Sequence, residues 1–413
     1  MTARAVDPPR SGRGTVLLVA NNFPPVRGGS ASVYASLARC AGGRVAVLAP
    51  QVNYADGLPI IGWREHDRRA PYPVIRIPLL RTTFGPRSRG GVRRLLFLAW
   101  DAALRLRVAA LLLRLIALGG VRVVCIGELL ASGWIIHLLR RVPGVRTVVY
   151  VHGEEITTRT ATDPGNRQGR QALQNSDAIV VVSRFTLAAV EALLGECAAA
   201  RIRLIENGVD NERFRPSPKP QALLDLYGLQ RHFVFVSVCR LVEKKGIDHA
   251  IRAFAQVVRF HPDSRYLVVG TGPYLDALRA LAEAEGVADR VVFAGQVAED
   301  ELVEHYQAGD VFIMPNRRMP DGDTEGFGLV FLEANGCGIP VIAGQDGGST
   351  DAVQHGVNGL VVDGHSVAEV AAAMRRLRED PVLYETLRQG ALAAAQRAGW
   401  GEKARAFLQV CDG

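Results

Sequence analysis

Short apolar runs, each followed by a turn and then a helical spacing, recur from one end of the chain to the other. In the first half, TVLLVA (15–20), RVAVLA (44–49), VIRIP (74–78), VRVVCIG (121–127), RTVVYVH (146–152) and AIVVVS (178–183) are nearly continuous in Val, Ile and Leu. Continuous runs predict parallel strands covered on both faces, because a strand with one wet face alternates instead. Helical spacings fall at 31–41, 130–141 and 184–194, with a longer one at 93–118. The second half restarts the scheme with FVFVSV (233–238), YLVVG (266–270), RVVFAG (290–295), DVFIMP (310–315), IPVIAG (339–344) and GLVVD (359–363). Its helices are expected at 246–260, 273–285, 299–308, 366–378 and 381–397.

This pattern predicts an α/β protein of two Rossmann-like, doubly wound domains facing each other across a cleft. The 413 residues suffice for both. Composition sets the boundaries: a polar, Pro-rich leader at 1–13, a first domain at 14–206, a Pro-rich polar linker at 207–231, and a second domain at 232–397. The closing segment 398–413 is expected to pack back on the first domain. The leader lacks the apolar core of a signal peptide. In such sheets ligands bind beyond the carboxyl ends of the strands, so the chemistry should sit in the loops that follow them.

Charge changes the picture when it is divided. Residues 1–206 carry 28 Arg, no Lys and 13 acids, a net +15, whereas residues 207–413 carry 21 bases against 28 acids, a net −7. A basic half suggests a polyanionic partner. Nucleic acid is not expected, since no zinc finger, aromatic RNA signature or helix-turn-helix is present. An anionic membrane surface fits better, because the basic half contains RRLLFLAWDAALRLRVAALLLRLIAL (93–118). Asp101, Arg105, Arg107 and Arg114 interrupt it, which argues for an amphipathic helix over a spanning one. An ordinary domain helix with a solvated basic edge is the favoured reading, and a helix lying on a membrane surface is the alternative. The six cysteines (Cys40, Cys125, Cys197, Cys239, Cys337 and Cys411) form no CxxC or zinc pattern and read as reduced, buried thiols of a cytoplasmic protein.

Three places carry candidate chemistry. After the first strand, Gly28 and Gly29 precede a helix, where glycines let backbone amides approach an anion. The spacing is not GxGxxG, so no dinucleotide cofactor is expected. In the second half SVCRLVEKKG places Arg240 directly after a strand and Lys245 at the entry to a helix near Gly246. Only four of the 49 basic residues are lysines, so the adjacent Lys244 and Lys245 are more informative than any arginine. Two cations and a helix N-terminus suit a diphosphate. The third segment runs from strand DVFIMP into Glu325-Gly326-Phe327-Gly328, read as opening a helix that carries Glu333. Eight helical residues would span about 12 Å, comparable to the hexose-to-ribose distance of a nucleotide sugar. The amides of 326–328 would then face the diphosphate between them.

With these residues in view the chain resembles the GT4 family of retaining GT-B glycosyltransferases over nearly its whole length. The marks are the Gly-Gly loop, His152 in VHGEE, ENGVDNERFRP (206–216), Arg240 with Lys245, FAGQV (293–297), Glu325 with Glu333, and a downstream GG motif. Segment 314–351 is particularly similar to the phosphatidylinositol mannosyltransferase branch. The resemblance implies that Arg240 and Lys245 hold the donor diphosphate, Glu325 contacts the transferred sugar and Glu333 binds ribose. It further implies that Gly295 and Val297 pack near the base and that His152 lies beside the reacting centre. Two departures stand out: Gly347-Gly348-Ser349-Thr350-Asp351 replaces the family's GGxPE, and Ser30 replaces the commoner aliphatic residue after Gly28-Gly29.

The expected reaction is transfer of a mannose- or glucose-type hexose from a GDP- or UDP-sugar to a hydroxyl of a lipid-linked or glycan acceptor. The nucleotide sugar is a substrate, so no cofactor is expected. Metal-independent activity is also expected, because no DxD-like element precedes a suitable strand and two cations can take the metal's place. The expected location is cytoplasmic, with peripheral attachment to the inner face of the plasma membrane as an open alternative. A sugar-nucleotide isomerase on the same fold and a catalytically silent sugar-nucleotide-binding protein are the rivals. A hydrolase using Glu325 and Glu333 is disfavoured, because helical spacing would set them beyond the roughly 5–9.5 Å such chemistry needs.

Overall fold

A computed structural model describes residues 14–82, 91–158 and 166–413. The expected leader 1–13 lies outside the described residues, as does the Cys197 side chain. The described residues divide into two compact units: those within 1–182, 186–205 and 400–413 form the first, and residues 183–185 and 206–399 the second.

Among its described residues the first unit holds seven parallel strands: β1 (Thr15–Val19), β2 (Val45–Pro50), β3 (Val74–Ile77), β4 (Val121–Ile126), β5 (Arg146–Val151), β6 (Ala178–Val181) and β7 (Ile202–Leu204). Their order in the sheet is β3-β2-β1-β4-β5-β6-β7. The second unit holds six parallel strands: β8 (Phe233–Val238), β9 (Ser264–Val269), β10 (Val291–Gly295), β11 (Val311–Met314), β12 (Val341–Gly344) and β13 (Gly359–Val362), in the order β10-β9-β8-β11-β12-β13. In each sheet the order reverses beside the first strand, between β1 and β4 and between β8 and β11. These are the switch points where loops diverge and leave room for a ligand.

The predicted strands lie within two residues of those observed, since a Val/Ile run buried on both faces has few other ways to satisfy its backbone. β7 is an addition. Its three residues carry a charged Arg203, too short and too polar to stand out. The helix expected at 130–141 is broken into Leu129–Ser132 and Trp134–Leu139 at Gly133, and the stretch read as a linker contains the helix Gln221–Tyr227. The closing helix Trp400–Asp412 belongs to the first unit, where Phe407 is fully buried with its ring 6.0 Å from Tyr150 and Arg44 meets Asp412 at 2.7 Å.

The long apolar run forms one 29-residue helix, Gly91–Gly119. Val108, Leu112 and Ile116, at helical spacing, fill the core. The opening turns do not: Val92, Leu95, Leu96, Leu98 and Trp100 are exposed, together with Arg93 and Arg94. Cys40 is also exposed, contrary to the expected buried thiols, because it ends its helix on the solvent side. The five described cysteines are all free.

Candidate functional site

In the second unit the loops after β8 and β11 meet. Gly246 has φ +71°, and a Cβ there would lie 2.0 Å from the Pro315 carbonyl oxygen, so only glycine lets the two backbones approach this closely. Gly246 also caps the helix Ile247–Val257, which leaves Lys245 at the helix entry as expected. The Lys245 ammonium forms an ion pair with the Glu325 carboxylate, and both side chains are largely buried. Burial works against both charges. The pairing outweighs it, raising Lys245 above the ordinary lysine value and holding Glu325 below the ordinary carboxylate value. The Phe327 N–H also donates to Glu325.

A second set of contacts straps the same loops together. Arg317, 5% exposed, forks onto Asp248 through Nη1–Oδ1 at 2.7 Å and Nη2–Oδ2 at 3.0 Å. Its own N–H donates to the Lys244 carbonyl at 2.8 Å, and Lys244 Nζ reaches Asp323 Oδ1 at 2.6 Å. The loop after β12 adds a backbone contact. Gly348 N–H donates to the Glu325 carbonyl at 2.8 Å, and a Cβ at Gly347 or Gly348 would lie 2.2 or 2.1 Å from the carbonyl oxygens of Glu325 or Gly326. Asp351, which replaces the family's glutamate, accepts the Arg184 N–H at 3.0 Å and is raised by burial.

One sequence expectation needs correction. Glu325 and Glu333 do not share a helix. The helix is Leu329–Gly336, opened by Gly328 in a left-handed conformation, so Glu325-Gly326-Phe327 remain in the preceding turn. The 12 Å helical spacing, and the exclusion of a hydrolase that rested on it, therefore do not follow from the structure. Glu333 has a partner that the sequence did not suggest, since the fully buried Tyr306 donates its hydroxyl at 2.6 Å. Burial raises Glu333, and the Tyr306 bond opposes the rise. Tyr306 is itself held by stacking on Phe312 at 5.8 Å.

The other expected residues stand on separate elements. Arg240 lies exposed two residues beyond β8, Gly295 ends the edge strand β10 with φ +71°, and Val297 is buried just after it. In the first unit, Gly28 and Gly29 are exposed at the start of the helix Gly29–Cys40, which no side chain caps. His152 follows β5. Burial lowers its pKa to about 4, and its Nε2 lies 2.7 Å from the Tyr34 hydroxyl. Glu155 takes the N–H groups of His152 and Gly153 and is pushed up to about 7 by burial. Among the described residues no three His, Cys, Asp or Glu side chains gather as a metal site.

Comparison with known proteins decides the family. A model described as Glycosyltransferase Family 4 matches residues 27–213, and one described as Glycosyl transferases group 1 matches residues 229–394. A GDP-mannose-dependent alpha-(1-6)-phosphatidylinositol monomannoside mannosyltransferase of Mycobacterium tuberculosis is 36% identical over 88% of this chain and 89% of its own. The chain belongs to glycosyltransferase family 4. A protein of Mycolicibacterium smegmatis with the same description is 34% identical over 89% of this chain and 90% of its own. Among solved structures, Anabaena Alr3699/HepE in complex with UDP and glucose superposes with TM-score 0.75 at 21% identity, over 97% of this chain and all of its own. Sucrose-phosphate synthase from Thermosynechococcus elongatus gives 0.73 at 24%, over 96% and 98%. These likenesses fix the fold as GT-B. As a family 4 glycosyltransferase the chain transfers a hexose from a nucleotide sugar, and neither the isomerase nor the silent binder gains support.

Proposed function

We propose that this glycosyltransferase moves mannose from GDP-mannose, with retention and without a metal ion, to a hydroxyl of a phosphatidylinositol-type glycolipid. The relatives named above support the donor and acceptor. The observation that carries the site assignment is the buried Lys245–Glu325 pair at the β8/β11 switch point. In this reading Lys245 and Arg240 stabilise the charge that develops on the departing diphosphate. When donor arrives, Lys245 turns its charge to the phosphate and Glu325 accepts from hydroxyls of the hexose. Glu333, aimed by Tyr306, accepts from the ribose. Gly295 and Val297 bound the base, His152 faces the transferred sugar, and the Gly28–Gly29 loop serves the acceptor side.

Thermal shift of EDTA-treated protein with GDP, UDP and ADP tests this reading. GDP alone should raise the melting temperature, since a ligand that binds only the folded state stabilises it by mass action. Tyr306→Phe should weaken GDP roughly five- to tenfold, about the net worth of one ordinary hydrogen bond. A preference for UDP would remove the GDP-mannose assignment, and transfer lost in EDTA but restored by magnesium would remove metal independence.

The reading places the enzyme on the inner face of the plasma membrane, held by the opening turns of Gly91–Gly119. No helix among the described residues is long and apolar enough to cross a membrane. An exposed Val92, Leu95, Leu96, Leu98 and Trp100 flanked by Arg93 and Arg94 instead suits a helix lying at an anionic interface. Sedimentation with phosphatidylglycerol vesicles should occur, weaken with salt, and be lost on Leu95→Asp with Leu96→Asp. Equal binding by that variant would discard the surface.

A further inference from the structure

We infer that Tyr34 is a positioning residue that fixes His152 as its neutral Nε2–H tautomer, leaving Nδ1 as a hydrogen-bond acceptor. The Tyr34 hydroxyl donates to the Gly127 carbonyl oxygen, and a carbonyl has no proton of its own, so the phenolic proton must lie between them. The Tyr34 oxygen can then only accept from His152 Nε2, 2.7 Å away. Burial pushes the phenol well above its ordinary value, so its proton stays in place, and keeps the imidazole neutral near pH 7. With one proton on the ring, and that proton on Nε2, Nδ1 is bare.

The surroundings are built to hold this arrangement. Tyr34 is fully buried, with its ring edge-on to Tyr150 at 6.0 Å and to His152 at 5.2 Å. A Cβ at Gly127 would lie 2.6 Å from the Tyr34 hydroxyl oxygen, so only glycine allows the hydroxyl to reach that carbonyl. From the other side, Glu155 takes the His152 N–H at 2.8 Å and holds its backbone. Tyr34 stands little more than one turn into the helix that Gly29 opens, so the Gly-Gly loop and His152 are linked through a single phenol. The consequence rests on the proposed function: His152 accepts a hydrogen bond from a hydroxyl of the transferred hexose and cannot donate one to it.

Protein labelled with 15N-histidine, with His152 assigned through the signal lost in His152→Gln, tests the inference by long-range 1H–15N correlation. Ligand-free wild type at pH 7 should give the Nε2–H pattern. Tyr34→Phe should give a mixed or Nδ1–H pattern, with kcat falling at least about tenfold for a misplaced sugar contact. An Nδ1–H pattern in wild type would overturn the inference, as would Tyr34→Phe that keeps the single Nε2–H tautomer. Should the phenylalanine variant not fold, the wild-type tautomer decides alone. A wild type with the Nε2–H tautomer but no hexose transfer would sink the proposed function and leave the tautomer assignment standing.

Discussion

Lys245→Ala should lower kcat/KM for hexose transfer by about 10²–10³-fold, the usual effect of deleting one preorganised positive group from a site where charge develops. It should also destabilise the second unit, because the Glu325 carboxylate, largely buried and paired with Lys245, would lose its counter-charge. Breaking a buried pair from one side costs about 3 kcal/mol, most of it the penalty of the orphaned charge. The two effects can be separated. Lys245→Ala combined with Glu325→Gln removes the orphan and should recover most of the stability but none of the activity. Urea unfolding alongside initial rates reads both. If the double variant regained transfer in step with stability, Lys245 would be a structural cation and the diphosphate site would lie elsewhere.

Arg317→Leu should cost about 3–5 kcal/mol of stability, as expected when a buried, bidentate partner of a carboxylate is removed. Asp248 would then be left 5% exposed with a charge it cannot discharge cheaply. Beside Arg317 it titrates below the ordinary aspartate value although burial pushes the other way. The strap also holds the Lys244 carbonyl, so its loss should loosen the loop that carries Lys245 and weaken nucleotide binding. Replacing both members, Arg317→Met with Asp248→Leu, should come much closer to wild type, because no unpaired charge remains. The shift in urea midpoint at unchanged slope is the measure. An Arg317→Leu midpoint equal to wild type would mean that water already reaches the pair.

The sequence read parts of this site well and others poorly, for identifiable reasons. Lysine scarcity singled out Lys244 and Lys245 against a background of 45 arginines. The same background hid Arg317, one of many arginines in a polar loop. Tyr306 and Tyr34 had no local signal either, since an aromatic residue at helical spacing reads as core, and each is indeed fully buried. What gives them a role is where the hydroxyl ends up: on Glu333, 27 residues away, or against Gly127 and His152, 93 and 118 residues away. The misread helix at Glu325 has a related cause. Gly326 and Gly328 are compatible with a helix start or with a turn, and contacts from Gly347 and Gly348 select the turn.

By itself the sequence determined the two repeated strand-and-helix patterns, the positions of their strands and the loops where ligands should bind. These follow from hydrophobic periodicity, which is local and survives in any one-dimensional reading. It also determined the family, because the motif residues stand at the spacings its members share. Only the tertiary structure decided which strands are neighbours, and so which loops open at the β8/β11 switch point. It alone paired Lys245 with Glu325 and Arg317 with Asp248, and gave His152 a phenolic partner. Those pairings join residues 69 to 118 positions apart. No periodicity encodes them; they arise because buried charges and hydroxyls must find partners, and packing determines which are within reach.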